Sequence, residues 1–305
     1  MKTALILGIT GNFGLQMALA LKAEGWQIKA LIRDPSKAPQ WLGKQHILVA
    51  DALDEPQVAA AASGVDLIVY GLNPAYHRWH SDAMKLLEPS ITVAERLGLR
   101  LLFPGNVYNF SPCEQRITES QGMQPVSDKG AIRVAMEQRL KLATQRGALV
   151  TIVRAGDFIG PNTHLSWLDM LIKRKHGKTT MAFPHNNQHV HYWSYLPDLC
   201  HNTAKLMAIP QANFEVWHDP GLALTAEHWQ QAFAANGQTL NTRKFAWWGL
   251  VLMAPFVPTI KEVLKMRYLW QQPVVLDGEK MKRALPQGFQ ATPLASILTQ
   301  LQPET

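Results

Sequence analysis

Residues 1–14 read MKTALILGITGNFG, and no other stretch limits the possible folds of this chain as strongly. Thr3 to Leu7 is a short apolar run suited to a buried parallel strand. Gly8, Gly11 and Gly14 follow at three-residue spacing, and Leu15, Met17, Ala18, Leu19 and Leu21 then open a helix from Leu15 to Glu24. Such a turn needs glycines because the backbone bends sharply, approaches a diphosphate with no Cβ in the way, and packs helix close to strand. The phosphates would rest on the helix N-terminus, where unpaired N–H groups and the dipole favour an anion. A glycine triplet alone is a weak signal. Its place directly after a strand and before a helix selects dinucleotide binding over an empty turn, with Gly8, Thr10, Gly11, Asn12, Phe13 and Gly14 around the cofactor.

Gly25 breaks the first helix, and Gln27 to Ile32 reads as the second strand, ending in Arg33-Asp34-Pro35. The residue just past this strand normally faces the adenosine ribose, where an acid accepts from a 2′-hydroxyl and an arginine pairs with a 2′-phosphate. Both types stand here. Arg33 comes first and Lys37 adds a second cation, which favours NADP, with NAD as the alternative. His46 to Ala50 is a third strand, with Asp51 and Ala52 at its cofactor end, followed by a helix from Glu55 to Ala62. Asp66 to Tyr70 is a fourth strand, closed by Gly71, Leu72, Asn73 and Pro74 beside the cofactor path.

Trp79 to Leu97 reads as a long helix, with Pro89 as the place for a kink. A fifth strand from Leu99 to Phe103, a loop from Arg116 to Pro125, a helix from Lys129 to Arg146 and a sixth strand from Leu149 to Val153 complete the alternation. This is an α/β pattern, a doubly wound parallel sheet with ligands at the strand C-terminal ends. It assigns residues 1–158 to the dinucleotide-binding domain. Residues 159–305 form a smaller substrate-binding region, in which part of 189–208 packs back on the first domain. Helices are expected there from Leu165 to Lys175, Leu196 to Met207 and Ala226 to Ala235. The run Phe245 to Val257 is shorter than the roughly 20 apolar residues of a membrane span and carries Pro255, so it reads as a core or dimer-facing helix.

The net charge of +7 raises the question of nucleic acid, but the cations are spread along the chain except at Lys173, Arg174, Lys175, His176 and Lys178, which read as a solvated helix end. The expected partner is a small-molecule substrate, not nucleic acid or a membrane. Two cysteines, Cys113 and Cys200, make no disulfide framework, and the start lacks a secretory signal, so a reducing, cytoplasmic location is expected.

GITGNFG, Gly71-Leu72-Asn73, Pro104-Gly105-Asn106-Val107-Tyr108, the Lys129 to Glu137 helix and Arg154 to Pro161 together resemble the extended and atypical short-chain dehydrogenase/reductases, the NAD-dependent epimerase/dehydratase group. The likeness runs over nearly the whole chain and includes Asp277 to Lys280 and Thr292 to Leu294. It implies a Rossmann fold and NAD(P) binding. The family's chemistry rests on a serine, a tyrosine and a lysine, the last two as Tyr-x-x-x-Lys. With Val107-Tyr108 as the family's Val-Tyr pair, Pro104 takes the serine place, Lys129 the tyrosine place and Arg133 the lysine place, with Glu137 as the glutamate that follows. All three catalytic types are replaced.

Lys129 through Arg133 is similar to the Lys-x-x-x-Arg helix of isoflavone-reductase-like members, in which lysine takes the acid/base role. Burial and a cation one helical turn away, here Arg133, favour loss of the lysine's proton, while cofactor phosphates act in the opposite sense. Tyr108 is the other candidate acid, and Lys129 also belongs to the cofactor-contacting set. Tyr76, Trp79, Asn106, Phe158 and His191 are candidates to line the substrate cleft. His185, His189, His191 and His201 suit structural or substrate contacts better than a metal site.

Two functions compete. One is an NAD(P)-dependent oxidoreductase or epimerase/dehydratase-like enzyme acting by hydride transfer on a small carbonyl or enone. The other is an NmrA-like dinucleotide sensor that has lost the chemistry and acts on a protein partner. An enzyme needs open space beside the nicotinamide, which Trp79, Trp193 or Phe158 would fill in a sensor. A homodimer through the two long helices is expected in either case.

Overall fold

The computed structural model describes residues 1–301. Its first half alternates strand and helix except between β2 and β3: β1 (Thr3–Leu7), α1 (Asn12–Ala23), β2 (Gln27–Ile32), β3 (Ile47–Val49), α2 (Glu55–Ala61), β4 (Leu67–Tyr70), α3 (Trp79–Leu97), β5 (Arg100–Asn106), α4 (Asp128–Ala143) and β6 (Leu149–Ala155). The second half carries β7 (Asp157–Ile159), α5 (Trp167–Leu171), β8 (Ile172–Lys175), β9 (Lys178–Phe183), β10 (His191–Tyr195) and α6 (Leu196–Leu206). It continues with β11 (Phe214–His218), β12 (Leu222–Leu224), α7 (Ala226–Ala235), β13 (Leu240–Lys244), α8 (Trp247–Met253), α9 (Pro258–Lys265), α10 (Glu279–Ala284) and α11 (Leu294–Gln300).

The main sheet is parallel, in the order β11-β6-β5-β4-β1-β2-β3. Order reverses between β1 and β4, and that switch point opens a crevice at the strand C-termini. The doubly wound fold is therefore present. Both faces of β1 are covered, which is why TALIL is apolar without alternation. Leu5, Leu7, Ile68, Phe103 and Ile152 pack with Leu87, Ile91 and Leu140 on one side. Ala4, Ile6, Val69, Leu102 and Val153 pack with Met17, Leu21 and Leu199 on the other. Residues 196–218 return to this sheet: α6 lies against α1, and β11 pairs with β6 at the edge.

Two three-stranded sheets, β12-β10-β7 and β13-β9-β8, build the rest around Trp193, Trp229, Phe233 and Trp270. Here the structure departs from the sequence reading. The expected helix from Leu165 ends at Leu171, and Lys173, Arg174 and Lys175 lie in β8, not at a helix end. His176 (φ +50°) and Gly177 (φ +71°) form a two-residue hairpin turn between the paired Lys175 and Lys178. Such turns match the right-handed twist of the strands they join. The run 245–257 is not a core helix, since α8 spans only Trp247–Met253 and buries Trp247 alone. β5 extends through Pro104 to Asn106 because it pairs with β6 along its whole length, so the residues expected to begin a loop are strand. Pro89 stands inside α3, which continues past it as one helix.

Candidate active site

The glycine turn packs against the end of β4. A Cβ at Gly14 would lie 2.2 Å from the Gly8 carbonyl oxygen, and one at Gly8 (φ +83°) 2.7 Å from the Gly71 backbone. A Cβ at Gly71 would reach the Leu7 oxygen at 2.9 Å. Three glycines thus bring the ends of β1, α1 and β4 together. α1 starts with no side-chain cap and no acid in its first turn, so its leading N–H groups remain for an anion. Nine residues of the sequence-derived cofactor set, Gly8, Thr10, Gly11, Asn12, Phe13, Gly14, Gly71, Leu72 and Asn73, lie at these element ends.

Two side chains of that set do something else. Asn12 donates from Nδ2 to the His164 oxygen (2.9 Å) and accepts at Oδ1 from His164 N–H (3.1 Å), while Gln16 donates to the Pro161 oxygen (3.3 Å). These bonds tie the 160–165 segment across the start of α1. Phe13 is buried and stacks on Phe158 at 6.5 Å between centroids. Just past β2, Asp34 accepts from Ser36 N–H (3.1 Å) and Ser36 Oγ (2.6 Å) and lies 3.7 Å from Lys37. Those hydrogen bonds hold its carboxyl below the usual range. Arg33 is exposed and makes no ion pair among the described residues. Asp51 caps its own turn by accepting from Leu53 N–H (3.0 Å), beside the buried Ala52.

Ser127 caps α4 by accepting from Gly130 N–H, which sets Lys129 and Arg133 one turn apart on the inner face. Lys129 is buried; its Nζ donates to Glu262 Oε2 (2.6 Å) and to the Tyr76 oxygen (3.0 Å). Burial alone would raise the Glu262 carboxyl, but hydrogen bonds from Lys129 and Lys265 hold it below the ordinary value. Glu262 lies on α9, 133 positions from its partner, and no local pattern marks it.

Arg133 Nη1 donates to the Pro104 oxygen (3.0 Å), and its guanidinium lies over the rings of Trp79 (4.8 Å) and Phe103 (5.2 Å). Its Nε and the Tyr70 hydroxyl are buried without a partner. Both line a small cleft with Leu72, Asn73, Pro74 and Trp79. Two unpartnered polar groups, one at the end of β4 and one on α4, are what ribose hydroxyls would satisfy, so the residues present fit a dinucleotide.

The other candidate side chains are engaged by neighbours within the protein. Tyr108 hydrogen bonds to the Tyr76 hydroxyl, and burial pushes both phenols well up. Trp79 is buried: it packs on Tyr76 and Tyr108 and donates from Nε1 to the Pro74 oxygen (3.0 Å). Asn106 turns back to accept from Tyr108 N–H (3.0 Å). His191 pairs with Asp157 (2.7 Å) and stacks on Trp270 at 3.5 Å. Of the other histidines, His185 and His189 meet edge to face, and His201 bonds the Gly288 oxygen. Among the described residues no group of three His, Cys, Asp or Glu stands close enough to hold a metal ion, and no helix is long and apolar enough to cross a membrane.

Glu137 and Arg154 form a buried bidentate pair, at 3.2 Å from Nε and 2.5 Å from Nη2. Arg154 Nη1 also meets His218 Nε2 (3.1 Å), whose other nitrogen bonds the Ile117 oxygen (2.9 Å). Burial, with Arg154 beside it, pushes His218 down to about 3, so the ring is neutral and accepts from Arg154. This network ties α4 to β6 and β11.

Fold and crevice together have the architecture of a dinucleotide-binding protein. The family model described as NAD(P)H-binding matches residues 8–162, and the chain belongs to that family. Among solved structures, the NAD complex of UDP-glucose 4-epimerase from Thermus thermophilus aligns over 98% of both chains at 15% identity, with a TM-score of 0.68. The dTDP-glucose 4,6-dehydratase of Streptomyces venezuelae with NAD aligns over 98% of this chain and 96% of its own at 18% identity, TM-score 0.69. An L-threonine dehydrogenase of Cupriavidus necator covers 99% and 100% at 17%, TM-score 0.71. A 3-diazoavenalumate denitrifying reductase of a Streptomyces species is 39% identical over 70 residues, a match spanning 22% of each chain.

Proposed function

We propose that this protein is an NADPH-dependent reductase of a small carbonyl or enone, with Lys129 as the group that handles the proton. The observation that carries this reading is the buried Lys129 ammonium, held by Glu262 and the Tyr76 carbonyl at the place on α4 where the resembling enzymes keep their acid. NADPH, held at the glycine turn, would supply a hydride to the substrate carbon. Lys129 donates a proton to the carbonyl oxygen, or to the α-carbon of an enone, and recovers it from solvent. Arg133 and Tyr70 hold ribose hydroxyls with their unpartnered atoms, and Trp79 keeps water out. Residues 1–158 carry the cofactor and 159–305 most of the substrate contacts, with His191 and Phe158 beside them. Leu97 and Leu142, exposed on α3 and α4, are apolar side chains for a homodimer. Cys113 and Cys200 are free, as suits a cytoplasmic protein.

The test is titration with NADPH and NADH followed by turnover against aldehydes, ketones and enones. Lys129→Ala is expected to lower turnover about 10²- to 10⁴-fold, the usual share of acid–base catalysis, with NADPH binding kept within a few-fold. Binding without turnover in the parent protein would favour the sensor, a reading that Trp79 and the Lys129–Glu262 pair support by closing the site.

Arg33 underlies the choice of NADPH. Its guanidinium is free to meet a 2′-phosphate, while Asp34 is engaged by Ser36. Arg33→Ala is expected to weaken NADPH about 10- to 100-fold, the worth of a charge-assisted bond, and to leave NADH unchanged. Equal loss for both cofactors would assign Arg33 no role in discrimination.

A further inference from the structure

The least explained part of the surface is the segment after β13. Trp248 is 71% exposed, Leu252 64% and Phe256 83%, with Val251, Met253 and Val257 open beside them. Six large apolar side chains within ten residues are exposed together, of the kind of patch that marks an interaction site.

The sheet leading into it is basic. Lys173, Arg174, Lys175, Lys178, Arg243 and Lys244 are all exposed, and none makes an ion pair among the described residues. The sheet's strands contain no acid. Strand pairing sets Lys173 opposite Thr180, Lys175 opposite Lys178 and Arg243 opposite Ala182. Opposed residues point to one face, and alternate residues of β9 share it, so Lys173, Lys175, Lys178 and Arg243 stand on one side of the sheet. Lys244 ends β13, and α8 begins three positions later. The chain around this segment is free of negative charge as well: no acid occurs between Glu227 and Glu262.

We infer that α8 and the chain to Val257 dock on an anionic lipid surface, with Trp248, Leu252 and Phe256 entering the headgroup boundary and the β8–β9–β13 cations meeting lipid phosphates and carboxylates. An apolar helix face with adjoining cations is what such a surface binds. A second copy of the chain fits less well, since a two-fold contact would set the same cations against each other. The sequence reading of this run as a core or dimer-facing helix gives way to a third role, lying on a membrane without crossing it.

The test is co-sedimentation with sucrose-loaded vesicles of phosphatidylcholine alone or with about a third phosphatidylserine. Binding is expected to the anionic vesicles only and to fall steeply with added salt. Phe256→Glu and Trp248→Glu are each expected to lower the bound fraction at least tenfold with unchanged thermal melting and NADPH titration. Lys173→Glu with Lys175→Glu should act similarly. No binding to anionic vesicles, or binding that Phe256→Glu leaves intact, overturns the inference. So does a dimer, seen by light scattering without lipid, that Phe256→Glu disperses.

Discussion

Gly14→Ala is expected to remove dinucleotide binding and to destabilise the fold together. The added methyl carbon would lie 2.2 Å from the Gly8 oxygen and 2.8 Å from the Gly8 carbonyl carbon, both backbone atoms that no rotamer change can move. Relief requires α1 to back away from the end of β1. Overpacking of this kind costs about 1–3 kcal/mol, and a rigid backbone neighbour places it at the upper end. Binding falls further, because the N–H groups at the start of α1 move off the diphosphate at about 1.5–3 kcal/mol for each charge-assisted bond lost. Two neighbouring results separate packing from a general dislike of alanine. Gly11 has its nearest atom at 3.4 Å, so Gly11→Ala should cost the fold much less. Gly249 has nothing within 4 Å, so Gly249→Ala should leave NADPH binding unchanged and add a few tenths of a kcal/mol or more to stability, as alanine does within a helix. Denaturant melts and NADPH titration on the three variants check this; parental binding by Gly14→Ala would show that the cofactor does not use this turn.

Glu137→Ala should be the most destabilising side-chain truncation in the site region. It leaves the Arg154 guanidinium buried, with His218 and the Met123 sulfur as its remaining polar neighbours. Removing one member of a buried ion pair costs about 3–5 kcal/mol, mostly from the stranded charge. Replacing both, as Glu137→Met with Arg154→Met, should recover much of that loss, because burying two charges is itself expensive. The measurement is a double-mutant cycle in urea. A single-variant loss below about 1 kcal/mol, the range of exposed pairs, would show that the pair is solvated in solution. NADPH affinity in the double variant then reports whether this network only supports α4 or also positions Lys129 and Arg133.

The local signals in the sequence were strong where one element depends on its own residues. The run from Thr3 to Leu21 announces strand, turn and helix because both the periodicity and the glycine requirement are local. The same holds for the order of the first six strands and for the glycines that meet at the crevice. Boundaries were less legible. β5 runs to Asn106 because β6 lies beside it to accept its hydrogen bonds, a partner that no local pattern of Pro104-Gly105-Asn106 discloses. The basic run at Lys173 becomes a strand through the His176-Gly177 turn, a two-residue hairpin signal overridden in reading by the helical look of Leu165 to Leu171.

The candidate site divides in the same way. Sequence by itself determined the glycine turn between β1 and α1, the replacement of the usual catalytic types at Pro104, Lys129 and Arg133, and the adjacency of Arg33 and Asp34 after β2. Only the tertiary structure decided what those side chains meet. Glu262 reaches Lys129 across 133 positions, Asp157 takes His191, and Tyr76 and Tyr108 spend their hydroxyls on each other. Strand and helix formation are governed by neighbours in the chain, whereas burial and charge pairing are governed by neighbours in space, which the packing of α9, β7 and β10 onto the crevice alone supplies.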